Sequence, residues 1–383
     1  MTAPAARPRV VLLRGHQANS WHLRPWRHLA GEFDVALLRT GSNWFEAEVP
    51  GVDSVPVRTA RDVLPKGRIG DALVRVPGDR YLGLRSRLEG SDIVHSQDLG
   101  FWFSMQAARY KPALGFKLVL TCWETIPFLD AYRNVRTRPY RREVLDRTDL
   151  FLATTERARR CLLLEGAPPD RIRLCPPGAD DELFAAASAT PAPAEPLVVS
   201  PGRLDWHKGH QDVLRAVAAL HRGAVDPAGA PVPRVLVIGS GPEEERLRRH
   251  AAELRIADRV EFRSDVPYAQ MPDVYAGASC LVLASLPEWY WEEQFGMVLV
   301  EAMFAGVPIL ASSSGAIPEV TAGAVPLFAP GDWEGLARLL ADGPLRDPAR
   351  RTDYPTDLLD RYRGRAYADR LGAAYRELLG ARS

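Results

Sequence analysis

The sequence is poor in the features that most quickly announce a function. Its four cysteines, Cys122, Cys161, Cys175 and Cys280, are scattered, with no Cys-x-x-Cys pair and no metal-ligand spacing to histidine. That pattern excludes the common zinc sites. The apolar neighbours of each thiol point to buried free cysteines in a reducing cytoplasm. No apolar run approaches the roughly 18 residues of a membrane span. The short apolar stretch after the N-terminus runs on into Arg14–Gln17, unlike a secretory leader. Net charge is almost absent, with 49 Lys and Arg against 48 Asp and Glu, so nothing global points to nucleic acid. No strand-like run is followed by G-x-G-x-x-G, which disfavours a nicotinamide dehydrogenase.

What is present is strongly patterned. The 383 residues, 46% of them hydrophobic, suit two or three globular domains with ample core. Dividing at residue 190 exposes a charge asymmetry: 28 Lys and Arg against 22 Asp and Glu before it, 21 against 26 after it. A positive first half suits an anionic partner and leaves room for a weak peripheral membrane contact, although a chance of surface composition explains it equally. Short apolar runs such as "RVVLLRG", "FDVALLRT", "SDIVHS", "FKLVLTC" and "DLFLATT" alternate with helical patterns such as "PWRHLAGEF". The second half repeats this with "PLVVSPG", "PRVLVIGSG", "DRVEFRS", "ASCLVLAS", "VPILASS" and "AVPLFAP". Continuous apolar strands alternating with helices predict parallel sheets covered on both faces. The small and proline-rich segment from Ala185 to Pro196 reads as a linker. Expected domains are 1–190 and 191–355, followed by an amphipathic tail (356–383) with Tyr362, Ala366, Leu371, Tyr375 and Leu378 on one stripe.

Ligands of open α/β sheets bind beyond the carboxyl ends of strands, and three motifs fall there. In "SPGRLDWHKGH", Arg203 and Lys208 flank a turn before a helix, a place for phosphate or simply two solvated charges. In "VIGSGPEEERL", Gly239 and Gly241 permit close backbone approach, as would any strand–helix turn. In "EEQFGMVLVEAM", Glu293 and Glu301 lie at either end of seven mostly apolar residues. Buried carboxylates are costly without partners. Sugar hydroxyls would satisfy both acids, and a neighbouring arginine could satisfy either one.

Taken in order, G-R-L-x-x-x-K-G, G-x-G-P and E-x-F-G-x-x-L-x-E-A-M-x-x-G-x-P resemble the nucleotide-sugar half of retaining GT-B glycosyltransferases of the large fourth family (group 1). The likeness covers roughly residues 197 to 330, and reaches the first half more weakly through "DIVHS" and "TCWETIPF". The resemblance implies two Rossmann-like doubly wound α/β domains facing across a cleft, with the C-terminal helix crossing back onto the first. It assigns Arg203 and Lys208 to the donor diphosphate, Glu293 to the donor sugar and Glu301 to the ribose. His95 falls beside the transferred sugar or acceptor. Gly239, Gly241 and the stretch Phe295, Gly296, Met297 and Val298 complete the donor set. Glu293, His95, Arg203 and Lys208 are the catalytic candidates. A front-face transfer follows, from a UDP-sugar by default and with GDP open, to a saccharide or small-molecule acceptor, with no cofactor and no metal. A nucleotide-sugar 2-epimerase or hydrolase of the same fold, or a non-catalytic nucleotide-sugar binder, is the alternative.

The sequence also departs from that family. The usual glycine pair after the first strand is reduced to Gly15 in "RGHQANSWH", so His16, Gln17 and Asn19 are candidates to replace backbone contacts. Ser314 stands beside Gly315 where two glycines are usual, and Glu319 matches an acid there. Trp289, Tyr290 and Trp291 crowd the segment before Glu293, and Trp291 is a candidate for stacking on a sugar. Glu288 and Glu292 compete with Glu293, which the spacing to Glu301 favours. On the acceptor side, Asp98 and Glu124 are candidate proton sinks alongside His95. The basic run from Arg133 to Arg142 reads as a solvated helix face or an anion-meeting one. Oligomeric state leaves no trace in the sequence.

Overall fold

A computed structural model describes residues 6–64, 73–74, 78–129, 138–189, 195–227, 229–264 and 266–380. The chain forms two compact units, Met1–Gly178 with Gly364–Ser383, and Ala179–Arg363. Against the expected boundary at 190, the division falls at Gly178. Residues 190–194 of the expected linker lie outside the described residues, as do 133–137 of the basic run.

In the first unit the strands are β1 (Arg9–Leu13), β2 (Asp34–Thr40), β3 (Asp53–Val57), β4 (Ile93–Gln97), β5 (Lys117–Cys122), β6 (Leu150–Ala153) and β7 (Ile172–Leu174). They form one sheet in the order β3-β2-β1-β4-β5-β6-β7. Pairing is parallel throughout, with Val10 opposite both Val35 and Ile93. Apolar residues occupy both faces because helices cover both. Val11, Leu13, Val94 and Leu120 pack into one cluster, while Val10, Leu12, Ile93 and Val119 pack into another. The second cluster takes in Tyr367, Ala368, Leu371, Ala374 and Tyr375 of the C-terminal helix Gly364–Gly380. That helix therefore completes the first unit's core. Its stripe differs from expectation at Tyr362, which precedes the helix and packs instead against Phe295 in the second unit, with ring centroids 5.6 Å apart.

The second unit has β8 (Leu197–Pro201), β9 (Arg234–Ile238), β10 (Val260–Arg263), β11 (Cys280–Leu283), β12 (Ile309–Ser312) and β13 (Leu327–Phe328), in the order β10-β9-β8-β11-β12-β13. Strand order reverses between β1 and β4 in one sheet and between β8 and β11 in the other. Such reversals are where doubly wound sheets open a crevice for ligands. Strands β3 and β7 were not expected from the sequence; β3 is an edge strand carrying Pro56, and β7 has only three residues. The expected helix at "PWRHLAGEF" is a 3-10 segment, Arg24–Leu29, entered through Pro25. All four cysteines are buried and free. Among the described residues no helix is long and apolar enough to cross a membrane.

Candidate functional site

The loops after β8 and β11, neighbours at the reversal of the second sheet, bring the first site together. Lys208 Nζ donates to Glu293 Oε2 at 2.8 Å, and Ser285 Oγ donates to the same oxygen at 2.6 Å. Glu293 is only 6% exposed. Burial alone would raise its pKa, but Lys208 and Ser285 outweigh that and hold the carboxyl below its ordinary value. The acid is thus an ionised partner for a fixed ammonium. Lys208 also lies 4.8 Å from the centroid of Trp291, whose ring is 4.0 Å from that of His207. Trp291 therefore packs on the cation within this unit, while Trp289 is exposed.

The loop after β8 is fixed from both ends. Burial pushes His210 down to about 4 and keeps it neutral. It accepts from Ser200 Oγ through Nδ1 at 2.8 Å and donates to the Arg203 carbonyl at 3.1 Å. Arg203 projects outward, with Nη1 3.1 Å from Asp205 Oδ2. Gly239, at φ 137°, lies so close that a Cβ would stand 1.9 Å from the Gly202 carbonyl oxygen. Leu204 N donates to Ser240 O, and Glu243 N to Leu204 O, each at 2.9 Å, so Gly241 sits between these two ties. Gly315 serves the other loop. Its φ is 56°, a Cβ there would be 2.1 Å from the Glu293 carbonyl oxygen, and Ala316 N donates to that oxygen at 2.8 Å.

Glu301 lies in the helix Met297–Phe304, which Gly296 precedes with φ 84° and no side-chain cap. Phe295 is buried, and Met297 and Val298 are half-buried at the helix start. Tyr275 Oη donates to Glu301 Oε2 at 2.9 Å. Burial nevertheless pushes Glu301 up to about 7, because the phenol and the nearby Tyr268 offset only part of the lost solvation. The compensation for the two acids differs in kind: a cation for Glu293, a phenol for Glu301 and, among the described residues, an arginine for neither. Glu292 is buried, and Glu288 pairs its backbone with Trp291. Glu319 is half-buried in the helix Ile317–Thr321.

In the first unit, His95 requires a correction. It is fully buried, with Nδ1 2.5 Å from Tyr375 Oη and Nε2 2.7 Å from Thr121 Oγ1. Burial holds it well below its ordinary pKa. It is a core histidine with both nitrogens engaged, removed from the catalytic candidates. Asn19 is likewise occupied, accepting from His22 N at 2.9 Å to cap the helix Ser20–Leu23. Gly15 has φ 57° and donates its N–H to Tyr81 Oη at 3.0 Å. His16 binds Asp79 through Nε2, while its Nδ1 is 2.9 Å from Ser42 Oγ. Asp98, at φ 43°, accepts from the amides of Trp123 and Glu124 at 2.8 and 3.2 Å. Loss of solvent, and then Glu124, push it up to about 7. Glu124 is raised too, mainly by burial, and folds back onto the amides of Thr125 and Ile126, each at 2.9 Å. Within the basic run, Arg141 is buried and donates to Glu165 Oε2 at 2.6 Å, so that helix face is partly interior.

Sequence reasoning passed over Ser285 and Tyr275. Ser285 carried a signal, standing two residues past β11. Tyr275 carried none, since 26 residues separate it from Glu301.

Residues 185–352 match the family described as Glycosyl transferases group 1, and residues 26–183 match Glycosyltransferase Family 4. The chain belongs to the group 1 glycosyltransferases. It is 36% identical over 242 residues to the D-inositol 3-phosphate glycosyltransferase of Nocardia farcinica, a stretch covering 58% of this chain and 51% of that protein. The chain thus spans about half the length of that curated relative. Sucrose-phosphate synthase from Thermosynechococcus elongatus superposes with a TM-score of 0.73 at 20% identity, covering 98% of this chain and all of that one. HepE from Anabaena, solved in complex with UDP, superposes at 0.68 and 14%, covering 96% and 99%. These likenesses establish the fold as GT-B.

Proposed function

We propose that this protein transfers a sugar from a nucleotide diphosphate sugar, UDP-linked by preference, to a hydroxyl of a saccharide or small-molecule acceptor, with retention at the anomeric carbon. The observation that carries this reading is the buried Lys208–Glu293 pair at the strand-order reversal of the unit matched by the group 1 family. In it, Lys208 and the outward Arg203 take the diphosphate, and their charge grows in value as negative charge develops on the leaving group. The ribose hydroxyls donate to Glu301, and the amides from Phe295 to Val298 donate to further ligand oxygens. The bond from the anomeric carbon to the diphosphate breaks as the bond to the acceptor oxygen forms on the same face. The hydroxyl proton passes to the departing diphosphate. Arg203 and Lys208 supply the charge that a divalent cation would supply, so no metal is required. The choice of UDP draws on HepE, which was solved with that nucleotide. A reducing, cytoplasmic setting suits the four buried thiols.

The test is a thermal-shift series with UDP, GDP, ADP and dTDP on wild type, Lys208→Ala and Glu301→Ala. A ligand at about 100 times its Kd stabilises the folded state by about 2.7 kcal/mol. UDP should stabilise wild type and neither variant. If no nucleotide shifts wild type, the reading fails. The anomeric coupling in the product's proton NMR spectrum then decides retention.

A further inference from the structure

The second unit holds a cavity of about 290 Å³ that none of Arg203, Lys208, Glu293 and Glu301 lines. The helices His210–His221 and Glu244–Glu253 supply most of its wall, and the turn Trp206–Lys208 adds Trp206. Trp206 is 45% exposed, whereas Lys208, two residues on, donates to the buried Glu293. The Trp206 carbonyl accepts from Gln211 Nε2 at 3.0 Å, and Gln211 is itself a buried part of the wall. The turn that carries the ring is thus tied to the first of the two helices.

The surroundings of the ring are polar and electrically balanced. Arg215, Arg246 and Arg249 line the cavity with Glu243 and Glu253, and Asp212 adds a third acid beside Gln211. Arg246 Nη1 donates to both oxygens of Glu243, at 3.0 and 2.8 Å, and Arg215 Nη1 to Asp212 Oδ1 at 2.6 Å. A balanced wall favours neither a phosphate nor a cation, since either would meet like charge at short range. Two groups are left over. Asp212 Oδ2 and His250 Nε2 are buried and make no hydrogen bond among the described residues. Asp212 is 2% exposed, and burial raises its pKa against the pull of Arg215 and the nearby His250. Buried polar atoms without partners are costly and call for an explanation. A carboxylate oxygen accepts, and an imidazole nitrogen donates or accepts with its tautomer. A hydroxyl, donor and acceptor at once, suits both. C–H groups pack well on the negative face of an aromatic ring. A neutral sugar offers such a face to the indole and hydroxyls around its edge. The volume is at the small end for ligand sites, which span about 300–1,000 Å³, and so suits a single sugar residue. We infer that this cavity is a saccharide site separate from the Lys208–Glu293 site, seating one neutral sugar residue on Trp206 with its hydroxyls on His250, Gln211 and the Arg246–Glu243 pair. Nothing in it depends on the glycosyl-transfer reading.

The experiment is saturation-transfer difference NMR on the full chain, with UDP present and methyl glycosides of glucose, galactose, mannose and N-acetylglucosamine as probes. Wild type should transfer saturation to at least one of them. Trp206 is exposed, so its variants fold. Trp206→Phe keeps an aromatic face and should hold that glycoside within about threefold, while Trp206→Ala should weaken it about tenfold or more. His250→Phe removes a buried unpaired nitrogen, so it should melt no lower than wild type and yet lose the glycoside. Glu301→Ala should bind the glycoside as wild type does, whatever becomes of UDP. The inference is overturned if wild type binds none of the glycosides, if Trp206→Ala or His250→Phe binds as well as wild type, or if binding requires Glu301. Displacement of the glycoside by inorganic phosphate would make the cavity an anion site and overturn it too.

Discussion

At the carboxyl ends of the second unit's strands each key acid has a side-chain partner from the same unit: Glu293 has Lys208 and Ser285, and Glu301 has Tyr275. The same edge of the first unit is arranged differently. Arg14 has carbonyls and a ring but, among the described residues, no acid, while Asp98 and Glu124 accept from backbone amides. A site with internal partners is organised before any ligand arrives. A site whose cation meets no carboxylate among the described residues leaves charge for a ligand to balance. Two sheets of the same plan thus differ in how much of their electrostatics is settled within the unit.

The sharpest way to break this contrast is Lys208→Met. It should lower transfer by about a hundred- to a thousandfold and destabilise the protein by about 3–5 kcal/mol, because Glu293 is left buried without its cation. Lys208→Met with Glu293→Gln should recover most of the stability in urea unfolding and none of the activity. Equal stability of the single and double variants would mean that the pair does not compensate charge.

The dependence on pH separates the units next. Asp98 and Glu301 both titrate near 7 when folded, above their ordinary values. Between about pH 4 and 7 the unfolded chain therefore holds fewer protons than the folded one. Stability should fall across that window by on the order of a few kcal/mol. Asp98→Asn and Glu301→Gln should each flatten part of the slope. Under the proposed function, ribose hydroxyls donating to Glu301 favour its ionised form, so UDP affinity should rise about tenfold per pH unit up to about 7 and level off above it. Calorimetry at pH 6 and 8 checks this, and an identical Kd at both would remove Glu301 from the nucleotide site.

Smaller effects refine the picture. Ser285→Ala removes one hydrogen bond to an ionised group and should cost about 1.5–3 kcal/mol, with the Glu293 pKa rising. Tyr375→Phe takes away the hydroxyl beside His95 and should cost about 1 kcal/mol while leaving UDP affinity unchanged. A large loss of nucleotide binding in Tyr375→Phe would reopen a functional role for His95.

The placement of the second unit's candidate residues was legible in the sequence because Lys208 and Glu293 fall between a recognisable strand and the next helix, and Glu301 falls within such a helix. Lys208, Glu293 and Glu301 sit where strand–turn–helix patterning puts them. Their partners were harder to read, since Lys208 meets Glu293 across 85 residues and Tyr275 meets Glu301 across 26. Nothing in local spacing marks such pairs. His95 was misjudged for the same reason: a histidine in "DIVHS" is equally suited to a strand end or to the core, and a tyrosine 280 residues away decides which.

Local patterning by itself determined the two parallel sheets, the residues that close each strand and the family to which the chain belongs. These depend on short-range periodicity and on turns a few residues long. Only the tertiary structure decided the burial of Glu301 against Tyr275, the withdrawal of His95 into the core and the packing of Arg14 over Trp26. Desolvation and pairing depend on which distant segments pack around a group, and no short stretch of sequence contains that neighbourhood.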